Sequence, residues 1–140
     1  LRKSISKNNY LFIGVDLIKN KTTLDKAYND KKGYTAKFSL NLINIINRTQ
    51  KTNLNIKDFY YHGFYNTKLK CIQGYLVSKV KQNFKIGNKR FFLKKSERIL
   101  VEISNKFTIQ SFKRLASNTG WTTERVWLDN QKYYSLFLLK

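Results

Sequence analysis

Methionine is absent from these 140 residues, and histidine and cysteine occur once each, as His62 and Cys71. The single cysteine excludes an intrachain disulfide and any multi-cysteine zinc site. His62 has no second histidine at ligand spacing, so no metal is expected. No stretch approaches the roughly 20 apolar residues of a membrane-spanning helix. A cytoplasmic chain is therefore the default expectation. The six glycines, Gly14, Gly33, Gly63, Gly74, Gly87 and Gly120, stand apart from one another. No glycine-rich strand–loop–helix segment of the nucleotide-cradling kind is present. The chain opens on Leu1 rather than methionine, which is expected of a piece of a longer polypeptide.

Acidic residues are scarce: eight against 28 Lys and Arg, for a formal charge of +20. Each half of the chain carries 14 basic and 4 acidic residues, so there is no basic tail. An even spread of Lys, with abundant Asn and Ile, is the mark of A- and T-rich codons more than of a selected surface. Lys interleaved with aromatics, as in Phe84-Lys85 and Arg90-Phe91-Phe92, could stack bases, but no nucleic-acid-binding signature accompanies them. Weak non-specific binding to polyanions is expected either way. Aromatic residues at 15% argue for a packed core.

Tyr10 to Val15 form a short apolar run ending at Asp16, the pattern of a buried parallel strand delivering a polar residue at its C-terminal end. Residues 22–31 read as a short helix with Leu24, Ala27 and Tyr28 on one side, broken at Gly33. From Thr35 to about Arg48 a second helix places Phe38, Leu42, Ile45 and Ile46 on one face, broadened by Leu40 and Ile43. Residues 51–68 are polar with embedded aromatics and read as a short helix or turn near 56–60, then irregular chain. Strands are expected at about 69–77, 80–86 and 90–94, the last two joined around Gly87-Asn88. Ser96 to Ile103 is a further extended segment. Thr108 can cap a helix that turns Ile109, Phe112, Leu115 and Ala116 inward and stops at Asn118-Thr119-Gly120. Trp121–Leu128 and Tyr133–Leu139 close the chain as an antiparallel pair. This order is similar to the second half of an α/β domain with a lobe inserted between strands. An unpaired sheet edge and an exposed face rich in Phe12, Val126, Phe137 and Leu139 are then expected.

Several segments, in order along the chain, carry a family resemblance. Lys95 to Thr108, containing Glu102-Ile103-Ser104, is similar to G-E-x-I-x-x-E-x-S-x-K-[YF]-[ST]. Ala116 to Gly120, Val126-Trp127-Leu128-Asp129 and Tyr134 to Leu139 continue it in order. Gly14-Val15-Asp16-Leu17-Ile18-Lys19-Asn20 resembles G-x-D-L-x-K-[DN]. Ala27-Tyr28-Asn29-Asp30, Gly33, Thr35-Ala36, Phe38 and Asn41 fit A-Y-[DN]-D-x-x-G-x-T-x-x-F-N-x-N, with Ser39 replacing one Asn. Tyr65-Asn66 and Ile72 to Ser78 fit Y-N and I-E-M-x-L-V-S, with Gln73-Gly74 in place of Glu-Met. These patterns resemble the histidine-specific, S-adenosylmethionine-dependent methyltransferases, whose best-known member serves ergothioneine biosynthesis.

The resemblance implies the C-terminal part of a Rossmann-like class I methyltransferase with an inserted α+β substrate-binding lobe. Residues 1–20 would end the Rossmann-like core, 21–104 form the lobe, and 105–140 supply the closing helix and strand pair. It implies transfer of a methyl group from S-adenosylmethionine to the α-amine of histidine or a related amino acid. The main cofactor site would lie in an absent N-terminal half, of the same protein or a separate chain.

Residue by residue, the alternatives stay open. Glu102 and Ser104 share a strand face. Unaided, Glu102 reads as a solvated strand residue; the resemblance makes the pair a pocket for a polar ring. Ser104 could instead begin the next helix. Tyr28 reads as core by its stripe, and by resemblance as the donor to the amino-acid carboxylate. Gly74 by resemblance lacks a pocket-shaping side chain, leaving room for a bulkier ring. Asp16, Asp30 and Asn41 are expected in support: Asp16 as a loop brace or cavity wall, Asp30 as a loop brace or helix-end residue. The histidine of the family's F-x-H falls at Tyr61. Cys71 reads as a small apolar residue. Trp121 and Trp127 should share a strand face, with Trp127 backing the pocket. Two other readings are a catalytically inactive truncated relative and a small basic nucleic-acid-binding protein.

Overall fold

The computed structural model describes residues 9–140, which divide into two compact units. One unit joins the chain up to Asn20 with Asn105–Lys140, and the other is Lys21–Ser104. Residues 1–8 of the expected first segment lie outside the described residues. The whole is a mixed α/β chain whose named sheet pairings are antiparallel. Among the described residues, no helix is long and apolar enough to cross a membrane.

In the first unit, strand β1 (Leu11–Asp16) and strand β7 (Thr123–Leu128) flank strand β8 (Tyr134–Leu139) in the order β1-β8-β7. Both flanking strands pair antiparallel with β8, so β1 and β7 run the same way. Within this chain β1 is an edge strand paired antiparallel with β8, and a single parallel bridge joins Leu17 to Phe107. Helix α3 (Ile109–Asn118) brings Phe112 and Ala116 into a core with Val15, Leu17, Phe137 and Leu139. Burying a side chain such as Phe137, which is 0% exposed, contributes roughly 1.5–3 kcal/mol. Thr108 caps α3, and Thr108 and Ser111 bond each other's backbone N–H.

This packing corrects the expected exposed face. Phe137 and Leu139 are buried and Val126 packs against the same core, whereas Phe12 is 60% exposed. The reason is parity: Leu11, Ile13 and Val15 turn toward α3, and Phe12 turns away. Phe12 meets Trp127 edge-on at 5.7 Å between ring centres. The shared face expected for Trp121 and Trp127 also fails. Trp121 is buried ahead of β7, and the β7 register shifts between Thr123 and Arg125, so a two-residue period does not link them. Leu115, expected inward, is also half-exposed.

In the second unit, helices α1 (Lys21–Tyr28) and α2 (Tyr34–Gln50) precede a 3-10 turn at Ile56–Asp58. Strands β2 (Phe59–Asn66), β3 (Cys71–Ser78) and β6 (Arg98–Asn105) form a sheet in the order β2-β3-β6. Strands β4 (Gln82–Ile86) and β5 (Lys89–Leu93) form a separate hairpin through Gly87-Asn88. Ser104 belongs to β6, and Cys71 is buried at the start of β3.

Three expectations change here. Residues 59–66 form β2 rather than irregular chain. Aromatics at both parities hid the alternation that burial reveals: Phe59, Gly63 and Tyr65 are buried, Tyr60 and His62 exposed. Helix α2 turns Ser39 and Ile43 inward, leaving Phe38 80% exposed and Ile45 38% exposed. Ile103, which by the two-residue strand period shares the inward face of Val101 opposite Glu102 and Ser104, is nevertheless 58% exposed, while Ile99 and Val101 pack against Ile43, Phe59 and Leu76. The hairpin closes over this cluster, leaving an apolar cavity of about 270 Å³ between α2, the sheet and Phe84.

Candidate functional site

The segment Ala27-Tyr28-Asn29-Asp30 is placed by backbone hydrogen bonds. Asp25 Oδ1 accepts from the Tyr65 N–H at 2.7 Å, tying α1 to β2. The Asn29 side-chain amide donates to the Gly63 carbonyl at 2.8 Å, and its oxygen accepts from the Gly63 N–H at 3.4 Å. Asp30 accepts from the N–H groups of Tyr34 and Thr35 at 2.8 and 2.9 Å, satisfying the first turn of α2. Those bonds hold the Asp30 carboxyl below its ordinary pKa. Gly33, at φ 69°, supplies the left-handed turn between the helices.

These anchors bring Tyr28 to the end of β6, where its hydroxyl donates to Ser104 Oγ at 2.9 Å. Tyr28 and Glu102 line one open hollow of about 440 Å³, with Tyr34, Thr35 and Phe38. The outward Phe38 is therefore part of a concave wall. Glu102 stands on the same strand face as Ser104, two residues away. The hollow offers a carboxylate acceptor, hydroxyl groups and aromatic walls, a set that suits a small polar ring.

Gly74 lies under Glu102. A Cβ built there would stand 3.0 Å from Glu102 Cβ and 3.0 Å from both Cε2 and the hydroxyl of Tyr61. The expected spare room at Gly74 is thus already occupied by the Tyr61 ring. The Tyr61 hydroxyl is buried without a hydrogen-bond partner in good geometry. Burial and the nearby Glu102 carboxylate push its pKa up to about 12. No role for Tyr61 was legible beyond its place in F-x-H.

Asn41 is exposed on α2 and accepts from Asn44 at 3.2 Å. Asp16 belongs to the other unit. Its carboxylate takes Lys106 Nζ at 2.8 Å and also binds Lys19. Burial raises the Asp16 pKa, but the bonds and charges of the two lysines outweigh it and hold the carboxyl below its usual range. Lys106 is buried, with 1% of its side chain exposed, and went unnoticed in sequence despite being the Lys of the S-x-K motif. Asp129 accepts from Gln131, Tyr133 and Tyr134 N–H groups, bracing the β7–β8 connection. Trp127 rests on Phe12.

The described residues do not fit the binding of S-adenosylmethionine by this chain alone. Asp16, the carboxylate at the end of β1, is already committed to two lysines, and no glycine-rich loop follows a strand. No cluster of three metal-ligating side chains occurs among the described residues.

The profile of the S-adenosylmethionine-dependent, histidine-specific methyltransferases matches residues 1–140. A histidine N-alpha-methyltransferase of Mycobacterium tuberculosis (strain CDC 1551 / Oshkosh) is 28% identical over 130 residues, covering 91% of this chain and 40% of that protein. A histidine N-alpha-methyltransferase of Mycolicibacterium smegmatis is 24% identical over 140 residues, covering 99% of this chain and 44% of that protein. The chain thus spans less than half the length of these curated relatives. With the motifs in order along the whole chain, it belongs to the family of histidine-specific, S-adenosylmethionine-dependent methyltransferases.

Proposed function

We propose that this chain is the substrate-binding part of a methyltransferase acting on the α-amine of L-histidine or a related amino acid, with S-adenosylmethionine as methyl donor. The observation that carries the reading is the Tyr28–Ser104 hydrogen bond, which ties A-Y-N-D to E-x-S at the edge of the hollow that Tyr28 and Glu102 line. In this reading Glu102 and Ser104 take the polar ring, Tyr28 turns its one hydroxyl proton from Ser104 to the substrate carboxylate, and Gly74 forms the bed beneath. Asp30 and Asn29 hold the helix ends that carry Tyr28, and Asn41 and Asp16 are supporting. The methyl donor is held by a partner segment, on the same polypeptide or another chain. Methyl transfer needs in-line placement and a neutral amine, so orientation is the main contribution asked of the hollow. The exposed Phe12–Trp127 face suits burial against that partner segment.

The test is methyl transfer to L-histidine by the chain supplied with a segment that binds the donor. Mass-spectrometric appearance of N-methylated histidine supports the reading. No methylation of any amino acid, with donor binding demonstrated, overturns it in favour of the inactive relative.

A further inference from the structure

Gly63 and Gly74 are register partners on β2 and β3. A Cβ at Gly63 would stand 2.5 Å from the Tyr61 hydroxyl oxygen, and one at Gly74 would stand 3.0 Å from the same atom. Two adjacent strands therefore lack side chains at the same level, and the phenol lies in the recess they leave. A side chain at either position would displace the ring. Glu102 borders the recess through its own Cβ, so the carboxylate of the hollow stands beside a ring contributed by another strand. We infer that Tyr61 is a positioning and specificity-determining residue, filling the volume that Gly74 vacates and orienting Glu102, so that the pocket takes an imidazole-sized ring and refuses an indole.

The inference rests on the reading of the hollow as an amino-acid pocket. In the free chain the phenol has no well-aligned partner; once a ligand ring N–H draws one Glu102 oxygen to itself, the phenol beside the carboxylate can donate to the other. Its hydroxyl is buried, so it acts through Glu102 rather than by touching the ligand. Burial and the Glu102 charge both keep the phenol neutral at ordinary pH, and so able to donate. The ring also forms a stiff floor that a flexible side chain at position 74 would not provide.

The experiment measures the affinities of the 140-residue chain for L-histidine and L-tryptophan by NMR titration. The variants are Tyr61→Phe, Tyr61→Ala, Tyr61→Ala with Gly74→Leu, and Glu102→Gln. Tyr61→Ala is expected to shift the tryptophan-to-histidine affinity ratio toward tryptophan by about tenfold or more. Refilling the recess with Gly74→Leu should return the ratio toward the parent. Tyr61→Phe keeps the volume, so it should weaken histidine by about threefold to tenfold without admitting tryptophan. Should Tyr61→Ala not fold, as judged by circular dichroism, Tyr61→Leu replaces it. A folded, truncated variant with the parent ratio overturns the inference, because a purely structural role would weaken both ligands alike. Histidine binding that depends on Glu102 but not on Tyr61 defeats this inference alone. Binding that ignores Glu102→Gln, or no binding at all, defeats the pocket reading and this inference with it.

Discussion

The Tyr28 hydroxyl donates to Ser104 Oγ at 2.9 Å, joining the last residue of α1 to a strand 76 residues away. Tyr28→Phe removes that donor. It should cost the chain about 0.5–1.5 kcal/mol, read as a lower urea midpoint with an unchanged slope. With the donor-binding segment present, the same change should weaken all amino-acid substrates about equally, because each carries the same carboxylate.

Glu102→Ala should act selectively. Losing a partner for a polar ring costs roughly 1–3 kcal/mol, and only a ring-bearing polar substrate pays it. Relative kcat/KM for histidine, tryptophan and leucine is the measurement. An equal drop on all three would reduce Glu102 to a structural strand residue.

Tyr61 should titrate late in an alkaline titration. Its pKa is raised from 10.0 to about 12 in the folded chain. The unfolded chain loses this proton first, so the contribution to stability is intact below pH 10 and is lost as pH rises through about 12. Absorbance near 295 nm during an alkaline titration reports it. Tyr61→Phe should remove that residue's share of the late absorbance and leave stability near neutral pH unchanged or higher, since in the free chain the buried hydroxyl has no well-aligned partner.

Asp16 should make the first unit acid-sensitive. Its folded pKa lies below the ordinary 3.8, so its contribution is complete above that value and falls away as pH drops through the folded pKa. Asp16→Asn should flatten the acid limb of a stability–pH curve. Lys106→Met should cost about 1–3 kcal/mol, less than for a fully buried pair because 29% of the Asp16 side chain is exposed. An acid limb identical in Asp16→Asn and parent would remove the ion pair from the account.

S-adenosylmethionine should not bind the isolated chain with micromolar affinity. Calorimetric titration checks this, and a clear micromolar isotherm would reverse the assignment of the donor site to a partner segment.

Local chemistry made part of this molecule readable from its residues. Thr108 starts α3 and Gly87-Asn88 turns β4 into β5. Caps and turns depend on neighbours a few residues apart, so their signals survive in a linear sequence. The ordered motifs likewise marked Tyr28, Glu102 and Ser104 before any contact was visible. Tertiary structure decided what spacing cannot express. It made a strand of the aromatic run 59–66, turned Phe38 outward beside Glu102, and buried Phe137 against α3 while leaving Phe12 exposed. It also laid Tyr61 over Gly63 and Gly74, filling the room that Gly74 alone suggested. Each of these outcomes depends on which strand lies alongside and which face is covered, and those partners lie far away along the chain.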